Sequence, residues 1–112
     1  MKEGETMEYG YMFNKSDYAI LELLIGCECF SPFKSLSKQS IMSNTKYSHV
    51  KVQQSLKGFM LVDFVREGAK DRNNKTYFCT EAGLEHYKKI FDYTDEDIDK
   101  VIDNYIEENG GN

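Results

Sequence analysis

Apolar residues recur at helical spacing in several places along the chain. In "DYAILELLIGC", Tyr18, Leu21, Leu24 and Ile25 form one stripe, and Asn14 or Ser16 can cap its start. Gly26 loosens the end of this helix, Pro32 marks a loop, and Phe30 and Phe33 of "FSPF" are expected to tuck onto the core. Ser37 caps a short second helix, "KQSIMSN", with Ile41 facing inward. After the turn "TKYS", Ser48 caps a third helix, "HVKVQQSLKGFMLV", in which Val52, Leu56 and Phe59 fall on one buried stripe. Gly58 within it costs about 1 kcal/mol against Ala. A rival reading therefore ends the helix at Gly58 and begins a strand at Phe59. In the longer reading Asp63, which tolerates a left-handed backbone, ends the segment.

"DFVRE" and "KTYFCT" read as antiparallel strands joined by a polar segment, residues 68–75. Thr80 caps a fourth helix, "EAGLEHYKKIF", with Leu84, Tyr87 and Phe91 inward. Thr94 followed by Asp95, Glu96 and Asp97 is a helix start with acids at its positive end. The fifth helix, "DEDIDKVIDNYIEEN", carries Ile98, Val101, Ile102, Tyr105 and Ile106 on one face, and "GGN" frays. The expected fold is mainly α with a small β-hairpin: three helices, two strands, two helices.

Composition narrows the class. A chain of 112 residues, 40% hydrophobic, holds one small domain with a modest core. No apolar run approaches the roughly 20 residues that span a bilayer. "MKEGETMEYG" lacks the apolar stretch of a secretory signal, so a cytoplasmic protein without a membrane role is expected. Cys27, Cys29 and Cys79 are expected as reduced, buried thiols rather than a disulfide or a metal site. The scattered Met residues read as core filler. No phosphate-binding glycine loop, HExxH or nucleophile elbow is present, so no enzyme, cofactor or metal is expected.

Charge changes the picture further. The formal net charge is −5, yet residues 34–76 hold nine basic groups against three acidic ones, net +6. Residues 1–33 carry net −4 and residues 92–112 net −7. A basic middle between acidic ends is an argument about partners rather than about fold.

Two short helices around a tight turn, followed by a hairpin, form a winged helix-turn-helix. "LSKQSIMSNTKYSHVKVQQSLKGFMLVDFV" resembles the core of MarR-like winged-helix DNA-binding domains. Leu36 and Ser37 open the second helix, where Ile41 holds the inward apolar position, and Ser48 begins the recognition helix, whose packed positions are Val52, Leu56 and Phe59. "DRNNKTYFCTEAG" resembles the family's wing, with Asp71 and Arg72 at the tip and Thr80 to Gly83 starting the next helix. Asp63, where the family usually has Gly, is a departure. The resemblance covers roughly residues 16 to 91. The expected organisation is a flexible segment at 1–13, a winged-helix DNA-binding domain at 14–91 and an acidic packing or dimerisation helix at 92–112 with a frayed end.

A winged helix sets its third helix in or near the major groove and its wing against a neighbouring groove or phosphates. The candidate recognition residues are Lys46, Tyr47, Ser48, His49, Lys51, Gln53 and Gln54. Gln can pair with adenine, Lys with guanine or phosphate, and Ser with either. Tyr47 either packs in the turn or stacks on a sugar, and His86 is expected to be structural. The wing candidates are Arg66, Lys70, Arg72, Asn73, Asn74 and Lys75, and the second helix adds Ser37 and Lys38.

The expected function is sequence-selective binding of double-stranded DNA by a homodimer. The amphipathic tail helix is expected to pack on the first helix or on a second copy, with dimerisation through the terminal helices favoured. In size, in the Val52/Phe59/Phe64-Val65 pattern and in lacking a second domain, the chain is similar to the centromere-binding adaptors of tubulin-type plasmid and phage partition systems. That resemblance implies clustered binding to DNA repeats, repression of the protein's own operon and recruitment of a filament-forming GTPase. A MarR- or PadR-like transcriptional repressor is the alternative, and a protein-interaction module without DNA binding is a third.

Overall fold

Helix α1 (Lys15–Gly26) starts at Asn14, whose side chain accepts from the Asp17 N–H at 3.0 Å while the Asp17 carboxylate accepts from the Asn14 N–H at 2.8 Å. This computed structural model describes residues 13–107. Residues 1–12 and 108–112 lie outside it, and with them most of the expected flexible segment and the "GGN" end. Phe13 itself is buried, stacked on Phe59 with ring centroids 4.4 Å apart.

After α1 come strand β1 (Leu36–Ser37), helix α2 (Lys38–Thr45) and helix α3 (His49–Leu61). Strands β2 (Val65–Glu67) and β3 (Thr76–Cys79) follow, then helices α4 (Glu81–Phe91) and α5 (Asp95–Tyr105). The three strands form an antiparallel sheet in the order β1-β3-β2, with Leu36 opposite Tyr77 and Val65 opposite Cys79. β1 was not expected. Two residues are too few to show an alternating pattern, and Ser37 doubles as the cap of α2. The longer reading of α3 holds. The helix runs through Gly58, whose missing side chain leaves room for Phe13, since a Cβ there would lie 3.3 Å from the ring. Asp63 turns the chain afterwards with φ 64°, as its tolerance for left-handed backbone predicts.

The core gathers one stripe from each helix. Ile20, Leu21, Leu24 and Ile25 of α1 meet Ile41 of α2, and Val52, Leu56 and Phe59 of α3. Val65, Cys79, Tyr87 and Ile98 close it from the other side. His86 is buried with Nε2 2.8 Å from the Tyr18 hydroxyl and its ring 4.4 Å from that of Phe64. Burial, and then the charge of Lys89, pull its pKa down to about 4. Cys29 and Cys79 are buried free thiols, both pushed up to about 12 chiefly by burial, and Cys27 is half-buried.

Helix α5 packs on α1 of its own chain. At Gly26 the Tyr105 ring lies so near the backbone that a Cβ would clash with it. The expectation for "FSPF" is overturned: Phe33 is 90% exposed and Phe30 is 38% exposed. Residues 31–34 form a tight turn, with the Lys34 N–H donating to the Ser31 carbonyl at 3.0 Å, and this turn lifts Phe33 off the core. Phe91 is also more exposed than its spacing predicts. It sits on the rim, edge-on to Tyr18 and tilted against Tyr87.

Candidate nucleic-acid interface

The turn between α2 and α3 sets the geometry. Lys46 takes a left-handed backbone (φ 66°) and closes α2 by donating its N–H to the Met42 carbonyl at 2.8 Å. Thr45 Oγ1 then accepts from the Tyr47 N–H at 3.2 Å, which draws Tyr47 partly into the core. Ser48 caps α3 by accepting from the Lys51 N–H at 3.1 Å. The first turn of α3 thus presents backbone N–H groups beside exposed His49 and Val50.

One face of α3 looks toward the wing. Lys38 Nζ donates to Gln53 Oε1 at 2.8 Å and lies 3.3 Å from His49 Nε2, linking α2 to α3 at the surface. A cleft between these helices and the wing is lined by Lys38, Gln39, His49, Asn73, Asn74, Lys75 and Tyr77. It continues along α3 past Gln53, Lys57 and Met60 toward Glu67. Gln54 is exposed on the neighbouring face. At the wing tip, residues 71–74 form a turn in which Asp71 and Asn74 exchange backbone hydrogen bonds of 2.9 and 3.0 Å. Arg72, with φ 63°, is held out at the tip beside exposed Lys70 and Asn73.

Not every expected residue joins this surface on equal terms. Lys51 reaches back to α1, where its Nζ lies 2.7 Å from Asp17 Oδ1. Burial pushes the Asp17 carboxyl up, but hydrogen bonds from Lys51, from the Ser55 hydroxyl and from the Asn14 N–H bring it below its ordinary value. Arg66 forks onto Asp63 at 2.8 and 2.9 Å, and that hydrogen bond holds the Asp63 carboxyl down. Lys75 Nζ is 3.6 Å from Glu67. Lys38, Lys46, Lys57, Lys70 and Arg72 form no ion pair with another described residue. Ser37 caps α2 by accepting from the Ser40 N–H at 3.2 Å and stands at the start of the same surface.

Sequence reasoning missed Lys57 and Gln39. Lys57 lies four residues beyond Gln53 and eight beyond His49, so the helical repeat could have found it. Gln39 is brought to the cleft by the wing, which local spacing does not reveal. Among the described residues no group of three or more His, Cys, Asp or Glu gathers to hold a metal ion, and no described helix is long and apolar enough to cross a membrane.

No protein-family model matches the chain. It is similar to the DNA-binding protein TubR of a Clostridium botulinum C phage: 34% identity over 77 residues, covering 69% of this chain and 95% of that protein. Among solved structures it is similar to TubR from Bacillus megaterium pBM400, with a TM-score of 0.67 over 80% of this chain and 98% of that one. At 20% identity that likeness speaks for the winged-helix fold alone. It is also similar to the DNA-binding TubR fragment from Clostridium botulinum, with a TM-score of 0.58 and 33% identity over 70% of this chain and 96% of that fragment.

Proposed function

We propose that this chain, which belongs to the TubR family of DNA-binding proteins, binds double-stranded DNA through the N-terminal half of α3 and the wing. The observation that carries this reading is the cleft that joins α2, α3 and the wing, running from Lys38 across His49 and Gln53 to Asn73, Asn74 and Lys75, with hydrogen-bonding side chains between a cation at each end. Lys46, Tyr47, Ser48 and Gln54 flank it on the helix side, and Lys70 and Arg72 on the wing side. Lys57 is added to the set. Lys51 and Arg66 stay in it, each with an acid partner that a phosphate must displace. Ser37 and the first turn of α2 offer a further phosphate contact.

The role is that of a binding protein and not an enzyme, acting in the cytoplasm as a partition adaptor for plasmid or phage DNA. Two copies pair so that two recognition surfaces meet two half-sites, and clustered sites beside the protein's own gene give repression of that operon as well. A filament-forming GTPase is the protein partner of this reading. The test is nuclease footprinting on DNA around the gene. Regularly spaced protected repeats are expected, and their loss at raised salt follows from the phosphate contacts. No protection there, with no binding to any duplex at low salt, would sink the reading.

A further inference from the structure

Phe33 stands outside both the core and the surface just described. The residue is 90% exposed, yet the turn that carries it is firmly held. The Ala69 N–H donates to the Pro32 carbonyl at 2.8 Å, tying the turn to the base of the wing. Ser35 Oγ lies 3.1 Å from the same carbonyl and 2.8 Å from Oγ1 of buried Thr76. Gly68 makes the approach possible, since a Cβ there would meet the Pro32 carbonyl oxygen at 2.6 Å. The aromatic ring is therefore presented to solvent by a braced support.

The turn forms one wall of a groove whose other walls are Ser37 and Ser40 at the start of α2 and Lys70 and Asp71 of the wing. The groove thus joins two elements already assigned to DNA, and Lys34 is exposed beside it. A protein-docking surface would gather several apolar anchors into one patch. Here a single ring stands among the hydroxyls of Ser35, Ser37 and Ser40 and the cations Lys34 and Lys70, with Asp71 as the one acid in the groove lining. That combination matches nucleic acid, where an apolar wedge or stacked ring meets the bases of the minor groove and nearby cations meet phosphate.

We infer that the turn at residues 31–34 is a further DNA contact, in which Phe33 enters the minor groove beside the wing and Lys34 meets the flanking phosphate. The inference rests on the DNA-binding reading above.

The chain contains no Trp, so Phe33→Trp places a single reporter at the site. A random-sequence duplex at low salt is the probe, with complex formation followed separately by mobility shift. Tryptophan emission is expected to be quenched as the complex forms. Phe33→Ala should weaken binding by roughly five- to tenfold and leave the salt slope unchanged, because an apolar contact releases no counterion. Lys34→Ala should flatten that slope by about one. A normal mobility shift with unchanged emission, together with wild-type affinity for Phe33→Ala, overturns the inference. So does an emission change that follows protein concentration without DNA, which would mark a protein contact. If the unaltered protein shifts no duplex at all, the DNA-binding reading itself fails and this one falls with it.

Discussion

His86 keeps a titratable ring between Tyr18 and Phe64, where water cannot solvate a charge. Its folded pKa is lowered from 6.5 to about 4, so below the unfolded value the unfolded chain binds a proton that the folded one refuses. Stability from this residue is therefore full above that value and is lost as pH falls toward the folded one. Urea unfolding followed across this window should show a falling midpoint, and Phe at position 86 should flatten the fall. An unchanged slope in His86→Phe would assign the acid sensitivity elsewhere. Single residues were unevenly legible beforehand. Ser37, Ser48, Thr80 and Thr94 all cap the helices that their local sequence predicts. Lys51, a recognition candidate, has its acid partner Asp17 34 positions away on another helix, beyond any local pattern.

At the scale of elements, five helices and a hairpin follow from spacing and caps, because amphipathic periodicity and capping are local properties of the chain. What pairs with what is not local. Strand β1 exists because β3 offers it an edge, and Phe33 is exposed because its turn is bonded to the wing. The tail helix shows the same dependence. Its apolar face predicts a partner, and the open options were α1 or a second copy. Gly26 supplies the space that lets Tyr105 lie against α1. Gly26→Val should push α5 off that seat, lowering the thermal midpoint by several degrees and raising hydrogen exchange in α5 before the other helices. Equal protection of α5 in the variant would show that Gly26 is not what holds it.

For the whole molecule, charge arrangement matters more than total charge. The acids of α5, such as Glu96, Asp99 and Asp103, are exposed on the helix that covers α1, whereas Lys38, Lys57, Lys70 and Arg72 border the α3–wing surface. Binding to DNA is accordingly expected to weaken steeply with salt despite the net charge of −5. Lys70→Ala with Arg72→Ala should lower affinity alike on every sequence and flatten the log–log salt slope by about two, as read by fluorescence anisotropy. A loss confined to one target sequence would mean that the wing reads bases. The sequence by itself determined the helices, their caps, the hairpin and the segregation of charge, since each depends on residues close together in the chain. Only the tertiary structure decided which cations face the cleft and which are held by Asp17 and Asp63, where Phe33 stands and what α5 covers. Those outcomes depend on groups that meet only when distant segments pack, and packing is set by the whole core at once.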